Sequence, residues 1–374
     1  MGSMRGDGAA LEAAMAEADP TSLGAGERLR RVFGPEEAAW ALGQVALRRK
    51  AVSKFPRAAE MLFTRDGLEQ ASRAPVAAWR AARFAEAGVR EVWDLGCGIG
   101  ADAMAFAEAG LRVVGVDADP ATVEVAAHNL ALVGGEARLG LAEEAELPEG
   151  AAVFLDPARR TTTGRTWNVA DFTPPWQFVL DQLASDRFVC VKLGPGVPKE
   201  LIPDGVRAGW LSERGDVVEA TLWNRLPAST EAVVLPHELV APDRPRELET
   251  RPVGRYLIEP DGAVIRAGLI TEIAPGSPLW LLDPHTAYLS SDDPVDSPFG
   301  TTFEVDEVLP FDVRVLRRWV ADRGVGTLEI KKRAIDVDPA ALRRQLKPKG
   351  KASATIILAR TVEGTKALIA HRIR

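Results

Sequence analysis

The sequence predicts an α/β protein in three regions: a helical N-terminal segment, a parallel sheet with helices between its strands, and a small α+β domain at the C-terminal end. Up to residue 86 the chain is rich in Ala, Leu, Arg and Glu, with apolar residues at helical spacing. Strand-like and helical segments then alternate as far as residue 193, which is typical of a parallel sheet. A stretch rich in Pro and charge, 227–252, indicates a linker or a sheet edge before the last region. We place the three regions at residues 1–86, 87–227 and 228–374.

The composition indicates folded domains and no membrane span. With 374 residues, 46% of them hydrophobic, the chain is long enough for about two domains with buried cores. The mean hydropathy is −0.05, and no apolar run approaches the roughly 18 residues that a membrane-spanning helix needs. No basic stretch followed by an apolar core stands at the N-terminus, so we expect a cytoplasmic protein. Neither Cys97 nor Cys190 has a Cys or His at ligand spacing, so we expect no metal site and a reducing compartment.

The N-terminal region is predicted to be a helical bundle with interruptions. Pro56 ends one helical stretch, and the turn from Thr64 to Gly67 precedes another. The Thr64 hydroxyl is suited to accept a free backbone N–H, so we expect it to cap the helix that follows.

The later elements follow from the spacing of apolar residues. In the middle region we expect strands at 91–95, 112–117, 137–139, 152–156 and 188–193, with helices at 101–109, 121–133 and 176–184. Two more strand-like runs, 206–212 and 217–223, flank Glu213-Arg214-Gly215-Asp216 and predict an antiparallel hairpin that closes the sheet. In the last region we expect strands at 253–259, 327–331 and 355–359 and helices at 313–323 and 339–346.

Charge is distributed unevenly along the chain. The formal net charge is −7, yet residues 314–374 hold 16 Lys and Arg against 5 Asp and Glu, and residues 28–83 hold 12 against 5. Two basic ends therefore flank an acidic middle. This distribution of charge is typical of a protein with a polyanionic partner such as nucleic acid. From charge alone, a basic surface that is simply solvated is an equally good interpretation.

A glycine-rich loop follows the first predicted strand, in Asp94-Leu95-Gly96-Cys97-Gly98-Ile99-Gly100. Glycines let the backbone turn tightly and approach a ligand, and the helix that begins after the loop presents free N–H groups. The second strand ends at Asp117, 21 residues after Gly96, where a carboxylate is placed to bind both ribose hydroxyls of a nucleotide. The sequence therefore predicts a nucleotide site with Asp117 on the ribose.

Gly96, Gly98 and Ala101 also satisfy the dinucleotide pattern G-x-G-x-x-A, so a nicotinamide or flavin cofactor is an alternative. Asp94 directly before the loop would repel a pyrophosphate but suits the ammonium group of an amino-acid cofactor. The closing hairpin is also unlike a dinucleotide fold. Finally, Asp156 starts a loop at the end of the fourth strand, where a doubly wound sheet places its chemistry.

The glycine-rich loop and Gly115-Val116-Asp117 resemble the S-adenosylmethionine site of class I methyltransferases, whose Rossmann-like sheet has seven strands, the last of them antiparallel. Over the larger part of its length the chain is more narrowly similar to a bacterial family of methyltransferases with a C-terminal THUMP-like domain. The stretches that carry the narrower resemblance are Lys54–Pro56, Met61–Thr64, Asp66–Gln70, Asp156–Arg160, Glu259–Asp261, Ala263–Gly268, Leu282–His285 and Leu328–Arg333.

The resemblance implies S-adenosylmethionine as the cofactor and a set of residues that hold it. Similarity to the cap trimethylguanosine synthases further implies that a segment before the sheet folds over the cofactor. The implied contacts are Asp94, Gly96, Gly98 and Gly100 for the methionine part, Asp117 for the ribose, Ala118 and Glu143 or Glu144 for the adenine, and Phe63 and Thr64 for the outer wall.

Asp156-Pro157-Ala158-Arg159 resembles the D-P-P-[YFW] or D-P-P-R loop of nucleic-acid methyltransferases. In the amino-group enzymes, the acidic side chain and a backbone carbonyl of this loop accept hydrogen bonds from an exocyclic NH₂ and align its nitrogen with the methyl group. The resemblance thus assigns Asp156, Pro157 and Arg159 to catalysis, without a metal. Ala158 replaces the second proline and Arg159 the aromatic that stacks on the base, and these departures bear on base specificity.

Methylation of a pyrimidine carbon needs a cysteine nucleophile, and the two cysteines do not favour it. Cys190 lies in the middle of a strand, where a thiol usually packs in the core, and Cys97 lies in the cofactor loop. This chemistry is therefore ranked below N-methylation.

Several residues are candidates for binding the substrate, each with a structural alternative. Arg159 and Arg160 are suited to hold a phosphate, or else pair with the acidic middle region. Trp167 offers a stacking surface for a base, or else belongs to the core. Lys331, Lys332 and Arg333 are phosphate contacts or a solvated strand end, and further cations nearby favour the first.

THUMP domains are RNA-binding modules, so the resemblance implies a methyltransferase that N-methylates a base in structured RNA, ribosomal or transfer. Two alternatives stay open. One is a methyltransferase that acts on a small molecule or a protein. The other is a non-catalytic RNA-binding protein that retains the cofactor fold.

Overall fold

A computed structural model describes residues 7–159 and 167–373. The chain divides into two compact units. The first unit extends to residue 206 and includes 221–228, and the second comprises 207–220 and the chain from residue 229 onward. The region boundaries at 87 and 228 stay a prediction.

Helices form the N-terminal part of the first unit, as the apolar spacing predicts. The first three helices pack together around small side chains such as Ala38 and Ala41, with Leu62 from the segment that follows them. The Thr64 hydroxyl accepts a hydrogen bond from the Gly67 N–H at 3.0 Å and caps the fourth helix, as expected. The helices are α1 Asp7–Met15, α2 Leu23–Phe33, α3 Pro35–Ala51, α4 Arg65–Gln70 and α5 Ala74–Glu86.

A parallel sheet follows in the first unit. Its strands run in the order β3-β2-β1-β4-β7, and the end of β9 lies on the far side of β7. The inner strands are buried along their length, which explains why they read as apolar runs. The elements are β1 Glu91–Leu95, α6 Ala101–Glu108, β2 Arg112–Asp117, α7 Pro120–Ala131, β3 Glu136–Leu139, β4 Ala152–Leu155, β5 Ala158–Arg159, β6 Phe172–Thr173, α8 Trp176–Ala184, β7 Val189–Leu193 and, shared with the second unit, β9 Asp216–Trp223.

The second unit begins with β8, Arg207–Glu213, which is joined to β9 by a two-residue turn. Arg214 and Gly215 have φ of 54° and 83°, the left-handed conformation that favours a tight hairpin. The expected hairpin is therefore confirmed, but it does not close the sheet, because a further strand pairs with the other side of β8. The stretch 227–252 forms an edge rather than a linker, because β10 (Ser229–Val234) pairs parallel with β8 and antiparallel with β11 (His237–Val240).

A second sheet fills the rest of this unit, in the order β13-β14-β12-β15-β18-β17-β16. Of its paired strands, β16 and β17 run parallel and the remaining pairs run antiparallel. The elements are β12 Tyr256–Pro260, α9 Gly262–Ala267, β13 Trp280–Leu281, β14 Leu289–Ser291, β15 Gly300–Pro310, α10 Val313–Asp322, β16 Val325–Lys332, α11 Pro339–Leu346, β17 Ala352–Thr361 and β18 Gly364–Arg372.

Strand β17 is apolar on both faces because both faces of this sheet are covered. Ile356 and Leu358 pack with Leu316 of α10 and Leu342 of α11 on one face. The intervening Ile357 and Ala359 pack with Tyr288 and Phe303 on the other. The predicted α+β arrangement of the C-terminal region is thus confirmed.

Gly350 tests how closely the backbone packs at the end of this sheet, and Gly43 in α3 serves as the comparison. A Cβ on Gly350 would lie 1.6 Å from the Gly324 carbonyl oxygen, which only a backbone shift can relieve, whereas Gly43 in α3 has open space around it. We expect Gly350→Ala to lower the free energy of unfolding by about 2–3 kcal/mol. Gly43→Ala should raise it by about 0.5–1 kcal/mol. Urea unfolding followed by tryptophan fluorescence measures both changes in free energy. If Gly350→Ala unfolded at the same urea concentration as the wild type, the close contact between Gly350 and Gly324 would be contradicted.

Candidate functional site

The glycine-rich loop lies at the carboxyl edge of the parallel sheet, between β1 and α6. Gly96, Gly98 and Gly100 have φ of 92°, 55° and 79°, which side chains with a Cβ rarely adopt. The N–H groups of Gly96 and Cys97 both donate to the Val116 carbonyl, at 2.8 and 3.0 Å, and so attach the loop to β2. The loop therefore has the tight backbone conformation expected of a cradle, with the N-terminus of α6 directly behind it, and its contact with a cofactor stays a prediction.

Asp94, the penultimate residue of β1, is a buried carboxylate. It is 1% exposed, and neither of its oxygens has a hydrogen-bond partner among the described residues. Burial raises the pKa of Asp94 well above its ordinary value of 3.8, and the nearby carboxylates Asp102 and Asp156 raise it further, against the opposing effect of Lys192 and Arg80. A buried acceptor without a donor is costly, so this site suits a ligand that brings a cationic donor. The α-ammonium group of S-adenosylmethionine is such a donor.

Asp102 lies in the first turn of α6, two residues after the glycine-rich loop, but its carboxylate does not cap the helix. Its carboxylate instead forms a buried ion pair with Arg80, which is 0% exposed, and accepts a hydrogen bond from the Ser72 hydroxyl at 2.8 Å. The Arg80 guanidinium also lies 4.7 Å from the centre of the Phe154 ring. Asp102 therefore belongs to a structural cluster beneath the loop.

Asp117 lies at the end of β2, half-buried, as predicted for the ribose-binding carboxylate. Its two oxygens accept the N–H groups of Gly98 and Asp119, each at 3.0 Å. Each oxygen keeps a second lone pair, so both can still accept a ribose hydroxyl. Ala118 is exposed beside it, and Glu143 is exposed in the short helical turn after β3. The structure thus brings the glycine-rich loop, Asp94 and Asp117 together.

Phe63 and Thr64 precede α4. Phe63 is 1% exposed, and its ring centre lies 5.8 Å from that of Phe55 in the core of the first unit. Thr64 is half-buried and its hydroxyl is used by the helix cap. That these two residues line the outer wall of the cofactor site stays a prediction.

Asp156 and Lys192 form an ion pair that the sequence did not reveal. In the register of β4 and β7, Leu155 lies opposite Val191, so Asp156 and Lys192 come next, side by side, at the carboxyl edge. The Lys192 Nζ lies 2.5 Å from the Asp156 Oδ2, and the two side chains are 12% and 36% exposed. The signal for this pair was the parallel register of two strands that are far apart in sequence.

The remaining residues of the predicted methyl-transfer loop are only partly described. Pro157 is buried, and the backbone of Arg159 pairs with Phe172 between β5 and β6. Arg160 lies outside the described residues. Trp167 is half-buried, with its ring centre 6.0 Å from that of Phe172. Trp176 belongs to the core.

In the second unit, Lys331 and Arg333 share one carboxylate. Glu259 lies 2.6 Å from the Lys331 Nζ and 3.5 Å from an Arg333 nitrogen. Lys332 is exposed and donates to the Ile335 carbonyl at 3.2 Å. The three cations are therefore held in place by the sheet, and Glu259 offsets one of their charges.

The described residues, 7–159 and 167–373, contain neither a metal-binding cluster nor a membrane-spanning helix. No three or more His, Cys, Asp and Glu side chains are grouped so that they could hold a metal ion. No helix in this part of the chain is long and apolar enough to cross a bilayer.

Comparison with known proteins identifies the family. Residues 93–154 match the family described as a methyltransferase domain, residues 300–372 match a THUMP domain-like family, and residues 4–51 match a domain of unknown function. Two Mycobacterium tuberculosis proteins, from strains CDC 1551 and H37Rv, are described as uncharacterised S-adenosylmethionine-dependent methyltransferases. Each is 36% identical over 355 residues, which cover 90% of this chain and 96% of theirs. The chain belongs to this family of S-adenosylmethionine-dependent methyltransferases.

A solved structure supports the fold. A protein of Porphyromonas gingivalis W83, described as a candidate methyltransferase, superposes with a TM-score of 0.78 at 20% identity, over 100% of this chain and 99% of that one. The class I methyltransferase fold and the THUMP-like region predicted from the sequence are confirmed. The cofactor is S-adenosylmethionine, so the nicotinamide and flavin alternative is set aside.

S-adenosylmethionine supplies a methyl group on a positively charged sulfur, ready for transfer to a nucleophile. The groups at this edge of the sheet fit S-adenosylmethionine. They are a buried carboxylate for the ammonium group, a loop of glycines, and a carboxylate at the end of β2 for the ribose hydroxyls. Asp94, Gly96, Gly98, Gly100 and Asp117 are the residues suited to hold it.

We expect Asp94→Asn to stabilise the ligand-free protein while weakening cofactor binding. Because the pKa of Asp94 is raised in the folded state, the folded protein holds this proton more tightly than the unfolded chain, and stability falls as pH rises above 3.8. Asn removes that penalty, so its gain in melting temperature should be clear at pH 7 to 8 and vanish towards pH 4. Loss of a charged hydrogen bond should weaken S-adenosylhomocysteine binding about 10- to 100-fold.

Asp117→Asn is the matched control for this prediction. It should also weaken binding, about tenfold, but it should give no gain in melting temperature, because the Asp117 carboxylate accepts two backbone N–H groups. If the two variants changed the pH dependence of stability equally, the burial of Asp94 would not be the cause of that dependence.

Proposed function

We propose that this methyltransferase acts on structured RNA, ribosomal or transfer, and methylates a nitrogen of a base. The observation that carries the RNA assignment is a cluster of exposed cations on the region that matches the THUMP-like family. THUMP domains are RNA-binding modules, and this region resembles them in fold. The cluster itself is a property of this chain.

The C-terminal basic cluster lies on α10, on α11 and on the segment that follows α11. The two helices pack against each other on one face of the second sheet, so the cations of α10 and α11 lie on that side, and the lysines follow α11 directly along the chain. Within the described residues none of them forms an ion pair with a carboxylate, so all are available to phosphates. The cluster comprises Arg317, Arg318, Arg344, Lys347, Lys349 and Lys351.

Lys331, Lys332 and Arg333 are proposed as secondary contacts. Glu259 neutralises part of the charge of Lys331 and Arg333, so these two offer an oriented site with a lower net charge than the basic cluster. Lys332 is exposed and adds one cation. In the first unit, Trp167 and Arg160 remain proposed contacts of the substrate beside the methyl-transfer loop.

The methyl-transfer site is proposed to lie at Asp156. Lys192 holds the Oδ2 of Asp156, and no described residue bonds its Oδ1. A carboxylate held in this way can accept a hydrogen bond from an amino group through Oδ1 and so orient the nitrogen, while the Pro157 carbonyl and the backbone of Arg159 complete the loop. Lys192 then acts as a positioning residue for Asp156. Nothing in this arrangement calls for a metal.

Transfer of a radioactive methyl group tests the substrate class. The purified protein and methyl-labelled S-adenosylmethionine are incubated in three separate reactions, with an RNA, a protein or a small-molecule fraction. Each fraction comes from cells that lack this methyltransferase. The proposal expects label in ribonuclease-sensitive material and, after digestion, in a base nitrogen of one nucleoside. Label in the protein or small-molecule fraction would overturn it, and so would RNA binding without transfer in any fraction.

Neutralising part of the basic cluster should weaken RNA binding and its dependence on salt. For Lys347→Gln, Lys349→Gln and Lys351→Gln together, the slope of log affinity against log salt should become shallower by roughly 0.7–0.9 for each phosphate that the protein no longer neutralises. A control with the same change of charge replaces Arg112, Arg138 and Arg225 by Gln, since these pair with carboxylates already. Equal losses of affinity in both triple variants would mean that net charge, and not this cluster, governs binding.

Replacing Asp156 should stop turnover without loss of the cofactor. We expect Asp156→Ala to reduce methyl transfer at least about 100-fold, because the nucleophile is no longer aligned, with S-adenosylhomocysteine affinity within about threefold of wild type. Lys192→Met should lower kcat by about tenfold or more, and Lys192→Arg should restore part of it. Lys199→Met, at an exposed site just after β7, is the control. If Asp156→Ala turned over at the wild-type rate, Asp156 would be excluded from the reaction.

A further inference from the structure

The segment between α3 and α4 is held by two amide side chains. We call residues 61–64 the N-terminal strap. It has no regular secondary structure, yet its first three residues are almost fully buried. The Leu62 N–H donates to the Asn129 Oδ1 at 2.8 Å, and the Asn129 Nδ2 donates back to the Leu62 carbonyl at 3.0 Å. Gln44 repeats this arrangement at Phe63, with distances of 3.0 and 2.8 Å.

Asn129 makes a third hydrogen bond that Gln44 lacks. Its Nδ2 also donates to the carbonyl of Ile99, at 2.8 Å, in the middle of the glycine-rich loop. The side chain is 0% exposed at the C-terminal end of α7, and both of its N–H groups and its oxygen are engaged. One side chain therefore joins the strap to the loop that forms the cofactor cradle.

A second contact joins the same two elements. Gly67 lies in the first turn of α4, directly after the strap, and a Cβ there would lie 2.3 Å from the Ile99 Cγ2. The Ile99 side chain thus packs directly on the backbone of α4. Contact through both the carbonyl and the side chain of Ile99 means that the loop and the strap cannot shift independently.

We propose that Asn129 is a positioning residue for the cofactor, which couples the N-terminal strap to the glycine-rich loop. Docking of the strap fixes the Ile99 carbonyl and so the backbone of Gly98 and Gly100, and binding of the cofactor to that loop stabilises the strap in return, since such coupling is reciprocal. The inference rests on the cofactor site described above and is independent of the RNA substrate.

The chemistry of the amide explains why this position holds Asn. Two carbonyl oxygens, of Leu62 and Ile99, face the Asn129 Nδ2 and require two N–H donors, while the Leu62 N–H requires an acceptor. Asp has the same shape as Asn but offers no donor when ionised, so its oxygen would face two carbonyl oxygens. Ala removes all three bonds.

The experiment compares Asn129→Ala and Asn129→Asp with Gln44→Ala, which loses two bonds to the same strap but none to the loop. S-adenosylhomocysteine is the probe, its affinity is measured by calorimetry, and melting temperatures are recorded in parallel. We expect both Asn129 variants to bind about tenfold more weakly or worse. Gln44→Ala should stay within about threefold of wild type although it also lowers the melting temperature.

Hydrogen exchange of peptides that cover residues 61–68 measures the coupling directly. S-adenosylhomocysteine should slow exchange in the wild type and in Gln44→Ala, and this protection should disappear in Asn129→Ala. If Asn129→Ala does not fold, Gly67→Ala, which presses on Ile99, should show the same two effects. Equal affinity losses in the Asn129 and Gln44 variants would overturn the proposal, as would protection of the strap that survives in Asn129→Ala. Failure of the wild type to bind the probe would instead refute the cofactor site.

Discussion

A carboxylate buried without a partner is the constraint on which this structure depends. Asp94 lies near the end of β1 beneath the glycine-rich loop, and the described residues supply it with no hydrogen-bond donor. Burying such a group costs free energy that the fold has to offset elsewhere. Near it lie the buried pair of Arg80 and Asp102, the Lys192 ammonium and the core around Phe154. We expect a bound cationic group to relieve this cost, so that the occupied site is more stable than the empty one.

The parallel register of the sheet places the rest of the chemistry around that carboxylate. Because β2, β1, β4 and β7 all end at one edge, Asp117, the glycine-rich loop, Asp156 and Lys192 come together from segments that are far apart in the sequence. The Asn129 amide then ties this edge to the N-terminal strap. The segment between α3 and α4 is therefore joined to the glycine-rich loop by a buried side chain.

The sequence predicted most elements and about half of the site. Elements with strong apolar spacing and clear boundaries, such as Trp176–Ala184 and Pro339–Leu346, appear with the bounds that were expected. The sequence analysis did not predict β10 and β11, because these short segments become strands through tertiary pairing, β10 with β8 and β11 with β10. The glycine-rich loop, Asp94 and Asp117 carry a local pattern. The Lys192–Asp156 pair and the three bonds of Asn129 depend on tertiary register, which no local pattern encodes.

The most direct test of the account is the number of protons released when the cofactor product binds. S-adenosylhomocysteine is titrated calorimetrically into the protein in buffers with different enthalpies of ionisation, from pH 5 to pH 8. If Asp94 is protonated in the ligand-free site and ionised against the ligand ammonium, the wild type releases up to about one proton within this range, and Asp94→Asn releases none. Equal proton release by the two proteins, or none by the wild type at any pH, would contradict the central role of Asp94.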